Sequence, residues 1–103
     1  MEDASKKIAV IDELSIQIYD EDHTMLNPLR WVISNNWVGD AVEFCGYTIP
    51  HPSERISHLN VQLEDRNAQS PKNVLKKVYE GLECIEVIAA KLLESIKEVE
   101  GSI

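Results

Sequence analysis

The chain has 103 residues, of which 44% are hydrophobic and 27% are charged, which is typical of one small folded domain. Its 18 Asp and Glu residues outnumber its 10 Lys and Arg residues, so the formal net charge is -8 at pH 7. Such a charge repels phosphate backbones and disfavours direct nucleic-acid binding. No run of about eighteen apolar residues occurs, so we expect no membrane-spanning segment.

The first regular element is predicted within residues 8–19. There Leu14, Ile16 and Ile18 recur at every second position with polar residues between them. This alternation is typical of a half-buried β-strand, although the pattern leaves the start of the strand open.

A helix is predicted to follow this strand. Its apolar residues at helical spacing are Leu29, Val32, Ile33 and Trp37. Either Thr24 or Asn27 could cap it. Pro28 favours Asn27, because proline would then occupy the first helical position, where its missing N–H costs nothing.

Two further strands are predicted at residues 42–49 and 56–63. In the first, apolar residues occupy both the odd and the even positions, which suits a strand covered on both faces. Pro50 and Pro52 end this strand. The second alternates strictly and places Leu59, Val61 and Leu63 on one face. We expect the two to form an antiparallel pair with a longish connection, followed by a polar loop at residues 65–69.

A long helix is predicted from Ser70 and Pro71, with Ser70 as the cap and proline at the first helical position. No further breaker occurs before Gly101, apart from a tolerated Gly81. Nearly thirty helical residues would span ~40 Å, longer than a domain of this size can readily cover. We therefore expect part of the helix to meet another chain.

The apolar residues of the long helix form two adjacent stripes. The first consists of Leu75, Val78, Leu82, Ile85, Ala89, Leu92, Ile96 and Val99, and the second of Val74, Gly81 and Ile88. The stripes fit a helix packed on its own sheet and on partner helices, or else an ordinary core helix rich in aliphatic residues. The predicted class is α+β, in the order β-α-β-β-α, with two helices on one face of a small antiparallel sheet.

Residues that could support catalysis are present but poorly spaced. His23, His51, His58, Cys45 and Cys84 form no Cys-x-x-Cys or His-x-x-x-His pair. We expect both cysteines to be small core residues, and we expect no enzyme activity, cofactor, metal or small-molecule ligand.

A basic cluster begins the long helix, formed by Lys72, Lys76 and Lys77. Positive charge at a helix N-terminus opposes the helix dipole, so the cluster is not predicted to bind phosphate. We expect these lysines to face solvent.

Two sequence blocks are more specific. Residues 22–30 read DHTMLNPLR and residues 44–54 read FCGYTIPHPSE. Together they resemble the signature of the alpha-like subunits of DNA-directed RNA polymerases, a family that includes archaeal subunit L and part of bacterial alpha. The second block is closer to the subunit shared by nuclear polymerases I and III than to its polymerase II relative.

The resemblance covers nearly everything after about Leu14. We expect a flexible N-terminus at residues 1–7 and one alpha-like dimerisation domain at residues 8–100. The resemblance implies a non-catalytic assembly subunit that pairs with a larger alpha-like subunit and thereby carries the large catalytic subunits. Transcription of rRNA, tRNA and 5S rRNA in the nucleolus and nucleoplasm would follow. A polymerase II subunit and a homodimeric helical module remain the alternatives.

The interface implied by the resemblance and by the helical stripes involves both helices. The residues assigned to it are His23, Thr24, Asn27, Leu29, Arg30, Val32, Ile33, Val78, Leu82, Ile85, Ala89, Leu92 and Ile96. The sequence departs from the family pattern at Leu26, where glycine is usual, at Pro28, and in the connection at residues 36–42, which is about three residues longer. We expect the fold to tolerate all three departures.

Overall fold

The computed structural model describes residues 6–51 and 53–103. Most of the predicted flexible N-terminus, residues 1–5, therefore lies outside the described residues, as does Pro52. Lys7 is held in place: its carbonyl accepts a hydrogen bond from the Tyr19 N–H at 2.7 Å, and its Nζ lies 2.7 Å from Glu21 Oε2.

The described residues form one antiparallel sheet and two α-helices. The elements are β1 Ile8–Val10, β2 Ser15–Tyr19, α1 His23–Ser34, β3 Val42–Thr48, β4 Ile56–Leu63, a short 3-10 turn Arg66–Ala68 and α2 Pro71–Gly101. The strand order in the sheet is β1-β2-β4-β3. The predicted α+β class and the antiparallel pairing of β3 with β4 are confirmed.

The single strand predicted within residues 8–19 is instead a hairpin of β1 and β2. Residues 11–14 form the turn, in which the Leu14 N–H donates to Asp12 Oδ1 at 2.8 Å. This side-chain acceptor stabilises a reversal that the apolar alternation does not reveal. Ile16 and Ile18 are buried as predicted, but Leu14 lies outside the strand and is exposed.

Helix α1 begins at His23, five residues before Pro28, the predicted first helical position. Neither Thr24 nor Asn27 is its cap. Asp22 is the cap: its side chain accepts a hydrogen bond from the Thr24 N–H at 2.9 Å. Pro28 therefore lies inside the helix, where its missing N–H leaves only the Thr24 carbonyl without a helical donor. Solvent can satisfy that carbonyl because Thr24 is exposed.

The prediction that β3 is covered on both faces is wrong for this chain. A register shift between Val42 and Phe44 places Val42 and Cys45 in the core and leaves Phe44 exposed on an edge strand. The Phe44 ring lies over Gly46, where an added Cβ would meet its Cζ at 2.8 Å. The mixed polarity of β3 thus reflects a bulge.

One face of the sheet packs against both helices and forms the core. Its buried residues from β2, β3 and β4 include Ile16, Ile18, Val42, Cys45, Leu59, Val61 and Leu63. The helices contribute Leu26, Leu29, Ile33, Val74 and Val78. Leu26, the first departure from the family pattern, is fully buried here. The opposite face is polar and carries a Ser15–Asn60 hydrogen bond and a 3.1 Å contact between Gln17 Nε2 and His58 Nε2.

Helix α2 begins as predicted, because the Ser70 side chain accepts a hydrogen bond from the Asn73 N–H at 3.2 Å and Pro71 follows it. Its 31 residues span about 46 Å. The radius of gyration is 15.8 Å, above the roughly 13 Å typical of a compact chain of this length. The helix therefore extends well past the sheet.

Helices α1 and α2 cross closely at Gly81. A Cβ added there would lie 2.9 Å from Leu29 Cδ1 and 3.0 Å from Ile33 Cγ1. The absence of a side chain at Gly81 thus lets the two helices approach each other, a role beyond the mere tolerance expected from the sequence.

Candidate partner interface

The two halves of α2 lie in different environments. In the first half, Val74, Lys77, Val78 and Gly81 are buried against the sheet and α1. From Glu86 to the end of the chain every residue is exposed. The exposed large aliphatic residues of this second half are Val87, Ile88, Leu92, Leu93, Ile96 and Val99. Aliphatic side chains gathered on one solvent-exposed segment are typical of a protein–protein contact.

The exposed stripe continues the buried one along the same side of the helix. Val74, Val78, Gly81 and Ile85 are followed at spacings of three and four by Ile88, Leu92, Ile96 and Val99. The glutamates and lysines of residues 86–100 fall outside this stripe. A partner could therefore extend the core of the domain along α2 beyond the end of its sheet.

The α2 residues assigned to the interface from the sequence divide between these environments. Val78 is only 3% exposed and belongs to the core, whereas Ile85 is partly buried beside it. Leu82 and Ala89 are exposed, and Leu92 and Ile96 are 60% and 59% exposed. These four exposed residues are accessible to a partner without any rearrangement of the chain.

The apolar α1 residues assigned to the interface are all internal. Leu29, Val32 and Ile33 are 1%, 5% and 3% exposed, because this side of α1 packs on β3 and α2. They support α2 from within the chain, and a partner could reach them only after repacking of the core.

The polar α1 residues assigned to the interface lie on the outer side of the helix. His23, Thr24 and Asn27 are exposed and Arg30 is partly buried. His23 Nδ1 lies 2.6 Å from the Tyr47 hydroxyl, which ties the first turn of α1 to β3. Among residues 6–51 and 53–103, no carboxylate lies within 4.0 Å of the Arg30 guanidinium.

The first turn of α1 also holds a perturbed carboxylate. The hydrogen bonds from Thr24 lower the pKa of Asp22 below its ordinary value, with smaller contributions from the positive charges of Arg55 and His23. The charged form of this cap is thus favoured by the helix that it begins.

The two cysteines differ in accessibility. Burial raises the pKa of the Cys45 thiol to about 12, although the nearby charge of Arg30 acts in the opposite direction. Cys84 lies on α2 and is only partly buried. The core position predicted from sequence is therefore right for Cys45 and only half right for Cys84.

An aromatic surface that the sequence did not predict lies beside α2. Trp31 and Trp37 pack edge to face with ring centroids 5.2 Å apart, and both are about half exposed. Trp37 and Val38 also form one wall of an open groove against α2. Two tryptophans on either side of the helix end at Asn35 and Asn36 could have indicated this surface. The helical spacing, however, placed Trp37 within the predicted helix.

The lysines at the start of α2 also differ from expectation. Lys77 is 4% exposed, and its Nζ donates a hydrogen bond to the Val38 carbonyl at 2.5 Å. Helical spacing places Lys77 beside the core stripe, so the prediction that it faces solvent is wrong. Lys72 and Lys76 are exposed as expected.

Neither a metal-binding cluster nor a membrane-spanning helix occurs in the part of the chain that the structure describes. Its histidines, cysteines and carboxylates form no group of three that could hold a metal ion. Neither described helix combines the length and the apolar character that crossing a membrane would require.

Comparison with known protein families identifies the domain. Residues 13–96, which include β2, α1, β3, β4 and most of α2, match the RNA polymerase Rpb3/Rpb11 dimerisation domain. The chain belongs to this family. The resemblance found in the two sequence blocks is confirmed, and the α+β fold with a long C-terminal helix is that of a dimerisation domain.

Relatives within the family include eukaryotic and archaeal polymerase subunits. "DNA-directed RNA polymerases I and III subunit RPAC2" from Saccharomyces cerevisiae is 41% identical over 86 residues, covering 82% of this chain and 57% of the yeast protein. The Schizosaccharomyces pombe protein of the same name is 35% identical, and the match covers 93% of this chain and 79% of the relative. "DNA-directed RNA polymerase subunit Rpo11" from Korarchaeum cryptofilum is 31% identical, with 91% and 96% covered. The match thus spans little more than half of the budding-yeast relative.

Proposed function

We propose that this chain is a non-catalytic assembly subunit of nuclear RNA polymerases I and III. In this proposal it forms a one-to-one heterodimer with the larger alpha-like subunit, and the dimer carries the large catalytic subunits. The family assignment supports dimerisation, and the names of the yeast relatives support polymerases I and III over polymerase II. The complex would act in the nucleus, in the nucleolus and nucleoplasm.

The observation that carries the proposal is the continuation of the core stripe past the sheet. Ile88, Leu92, Ile96 and Val99 are exposed in this chain yet lie in line with the buried part of α2. Partner helices that cover these residues would bury their apolar surface, and each Å² buried would stabilise the complex by about 25 cal/mol. Leu82, Ile85 and Ala89 would border that contact.

The charge of α2 favours a different chain over a second copy as the partner. Residues 80–103 contain six glutamates and two lysines. Two copies of this segment packed along each other would bring like charges together, which is unfavourable at an interface. A different chain whose contact surface is neutral or basic would meet no such repulsion. A heterodimer is therefore favoured over a homodimer.

The outer residues of α1 are assigned a secondary role at the same contact. His23, Thr24, Asn27 and Arg30 would add polar contacts, with Arg30 free to donate two hydrogen bonds to a partner carboxylate. Leu29, Val32, Ile33 and Val78 would act indirectly, because they fix the position of α2 from inside the domain.

Co-expression with the larger alpha-like subunit tests the proposal. We expect the two chains to co-purify, and light scattering to give the mass of a one-to-one complex. A tagged chain should also retain the large subunits of polymerases I and III from cell extract, and not those of polymerase II. Retention of polymerase II subunits would show instead that the chain is the corresponding subunit of polymerase II. A stable homodimer that does not bind the larger subunit would contradict the assembly role.

A further inference from the structure

A groove of about 380 Å³ lies between the α1–β3 loop and α2. Trp37 and Val38 form one wall, and Cys84, Val87 and Ile88 form the other. Ile88 also belongs to the exposed stripe of α2, so the groove opens beside the surface assigned to the partner. Its apolar walls and size suit one large side chain from that partner.

The loop wall of the groove is held against α2 by buried charged groups. Lys77 Nζ donates to the Val38 carbonyl and lies 3.3 Å from Glu80 Oε1. Gly39 has a positive φ of 71°, and a Cβ there would lie 2.5 Å from Glu80 Oε2. The positive φ of Gly39 favours glycine, and its close contact with the Glu80 side chain places the loop directly against α2. The groove is therefore formed before any partner arrives.

The charges at the groove indicate what kind of segment it accepts. Glu80 and Glu83 line it together with the apolar walls, and Glu86 follows on the same helix. Within the described residues, Lys77 is the one cation placed against these carboxylates, and it is occupied by Val38 and Glu80. The groove is thus electrostatically complementary to a lysine- or arginine-bearing segment and repels a second acidic copy of this chain.

We propose that this groove is a specificity pocket of the heterodimer, which accepts a large apolar side chain carried by a basic segment of the larger alpha-like subunit. The proposal rests on the proposed assembly role and adds a second point of contact to the exposed stripe. Apolar anchors that fill preformed pockets, surrounded by complementary charge, give an interface both affinity and partner choice.

Thiol alkylation tests the pocket directly, because Cys84 lies in its wall. In the free chain N-ethylmaleimide should modify Cys84 and spare the buried Cys45. In the co-purified heterodimer we expect modification of Cys84 to slow by at least about tenfold, since the partner side chain would exclude the reagent. A Thr48→Cys variant supplies the control, because Thr48 is exposed on β3 away from the groove and should react equally in both states.

Substitutions in the groove test its chemistry. Trp37→Ala should weaken the heterodimer by about tenfold or more, whereas Tyr79→Ala, at an exposed aromatic residue outside the groove, should leave it unchanged. Glu83→Lys should slow association several-fold at low salt, and Glu64→Lys, with the same change in charge, should not.

The outcomes separate the pocket from the assembly role. A heterodimer that forms while Cys84 stays as reactive as in the free chain would overturn the pocket alone, as would equal affinities of the Trp37→Ala and Tyr79→Ala variants. Failure of any heterodimer to form would overturn the assembly role and the pocket together. Slowed Cys84 modification with selective loss of affinity on Trp37→Ala would establish the pocket.

Discussion

The first and second halves of α2 carry the same kinds of apolar residues at the same spacing, yet only the first half is covered. Val74 is fully buried, whereas Ile96, on the same side of the helix, is 59% exposed. The difference arises because the sheet and α1 end where the helix continues. A regular apolar stripe therefore shows that a helix face requires cover, and the geometry of the rest of the chain shows how much of that cover must come from another protein.

The largest contrast is expected between aspartate substitutions in the two halves. Val78→Asp should destabilise the isolated chain by more than about 3 kcal/mol, because it buries an unpaired charge in the core. Leu92→Asp should change the free energy of unfolding by less than about 0.5 kcal/mol but abolish co-purification with the larger subunit. Urea unfolding and light scattering measure the two effects, and equal destabilisation by both variants would contradict the division of the helix.

Two neighbouring lysines in the first half provide the next contrast. Lys77→Met should cost about 3 kcal/mol, because it leaves the Val38 carbonyl and the Glu80 carboxylate without their buried partner. Lys76→Met serves as the control, since Lys76 is exposed, and should be nearly neutral. Thermal and urea unfolding of the free chain measure both effects. A neutral Lys77→Met would show that the hydrogen bond from Lys77 to the Val38 carbonyl does not hold the loop against α2.

The two glycines of α2 give a smaller contrast. Gly81→Ala should destabilise the chain by about 1–2 kcal/mol, because contact with Leu29 and Ile33 outweighs the better helix propensity of alanine. Gly101→Ala meets nothing within 4 Å and should be neutral or slightly stabilising. Urea unfolding of both variants decides the matter, and stabilisation by Gly81→Ala would mean that α1 and α2 are less closely packed than described.

The smallest effect concerns the caps of the two helices. The pKa of Asp22 is lowered in the folded chain, so its contribution to stability is present above the ordinary value of 3.8 and is lost as pH falls through the lower folded value. Asp22→Asn keeps a capping oxygen but cannot titrate, so the free energy of unfolding should fall less steeply as the pH is lowered. Ser70→Ala should weaken α2 without changing this pH dependence. Unfolding measured between about pH 5 and pH 2 tests this; an unchanged slope in Asp22→Asn would exclude the cap as its cause.

Elements whose boundaries depend on local chemistry were predicted best from the sequence. The alternation of β4 fixed its strand at residues 56–63, and Ser70 followed by Pro71 located the start of α2. The sequence also predicted the order of the helices and of the three longer strands. These features depend on spacing and on capping groups, which are visible along the chain.

Features that depend on tertiary contacts could not be predicted. Pro28 suggested a later start for α1, but the burial of Leu26 in the core extends the helix backwards to the Asp22 cap. The burial of Lys77 depends on a carbonyl 39 residues away, and the groove depends on where the Trp37 loop meets α2. The interface residues of α1 were assigned from the resemblance and from helical spacing. Neither distinguishes a face covered by the same chain from one covered by a partner.

Hydrogen exchange of the free chain and of the purified heterodimer would test the central claim most directly. We expect the amides of residues 74–85 to be protected in both samples. The amides of residues 88–100 should exchange rapidly in the free chain and become protected in the heterodimer. Equal exchange of residues 88–100 in both samples, despite an intact complex, would contradict the claim that the partner covers the second half of α2.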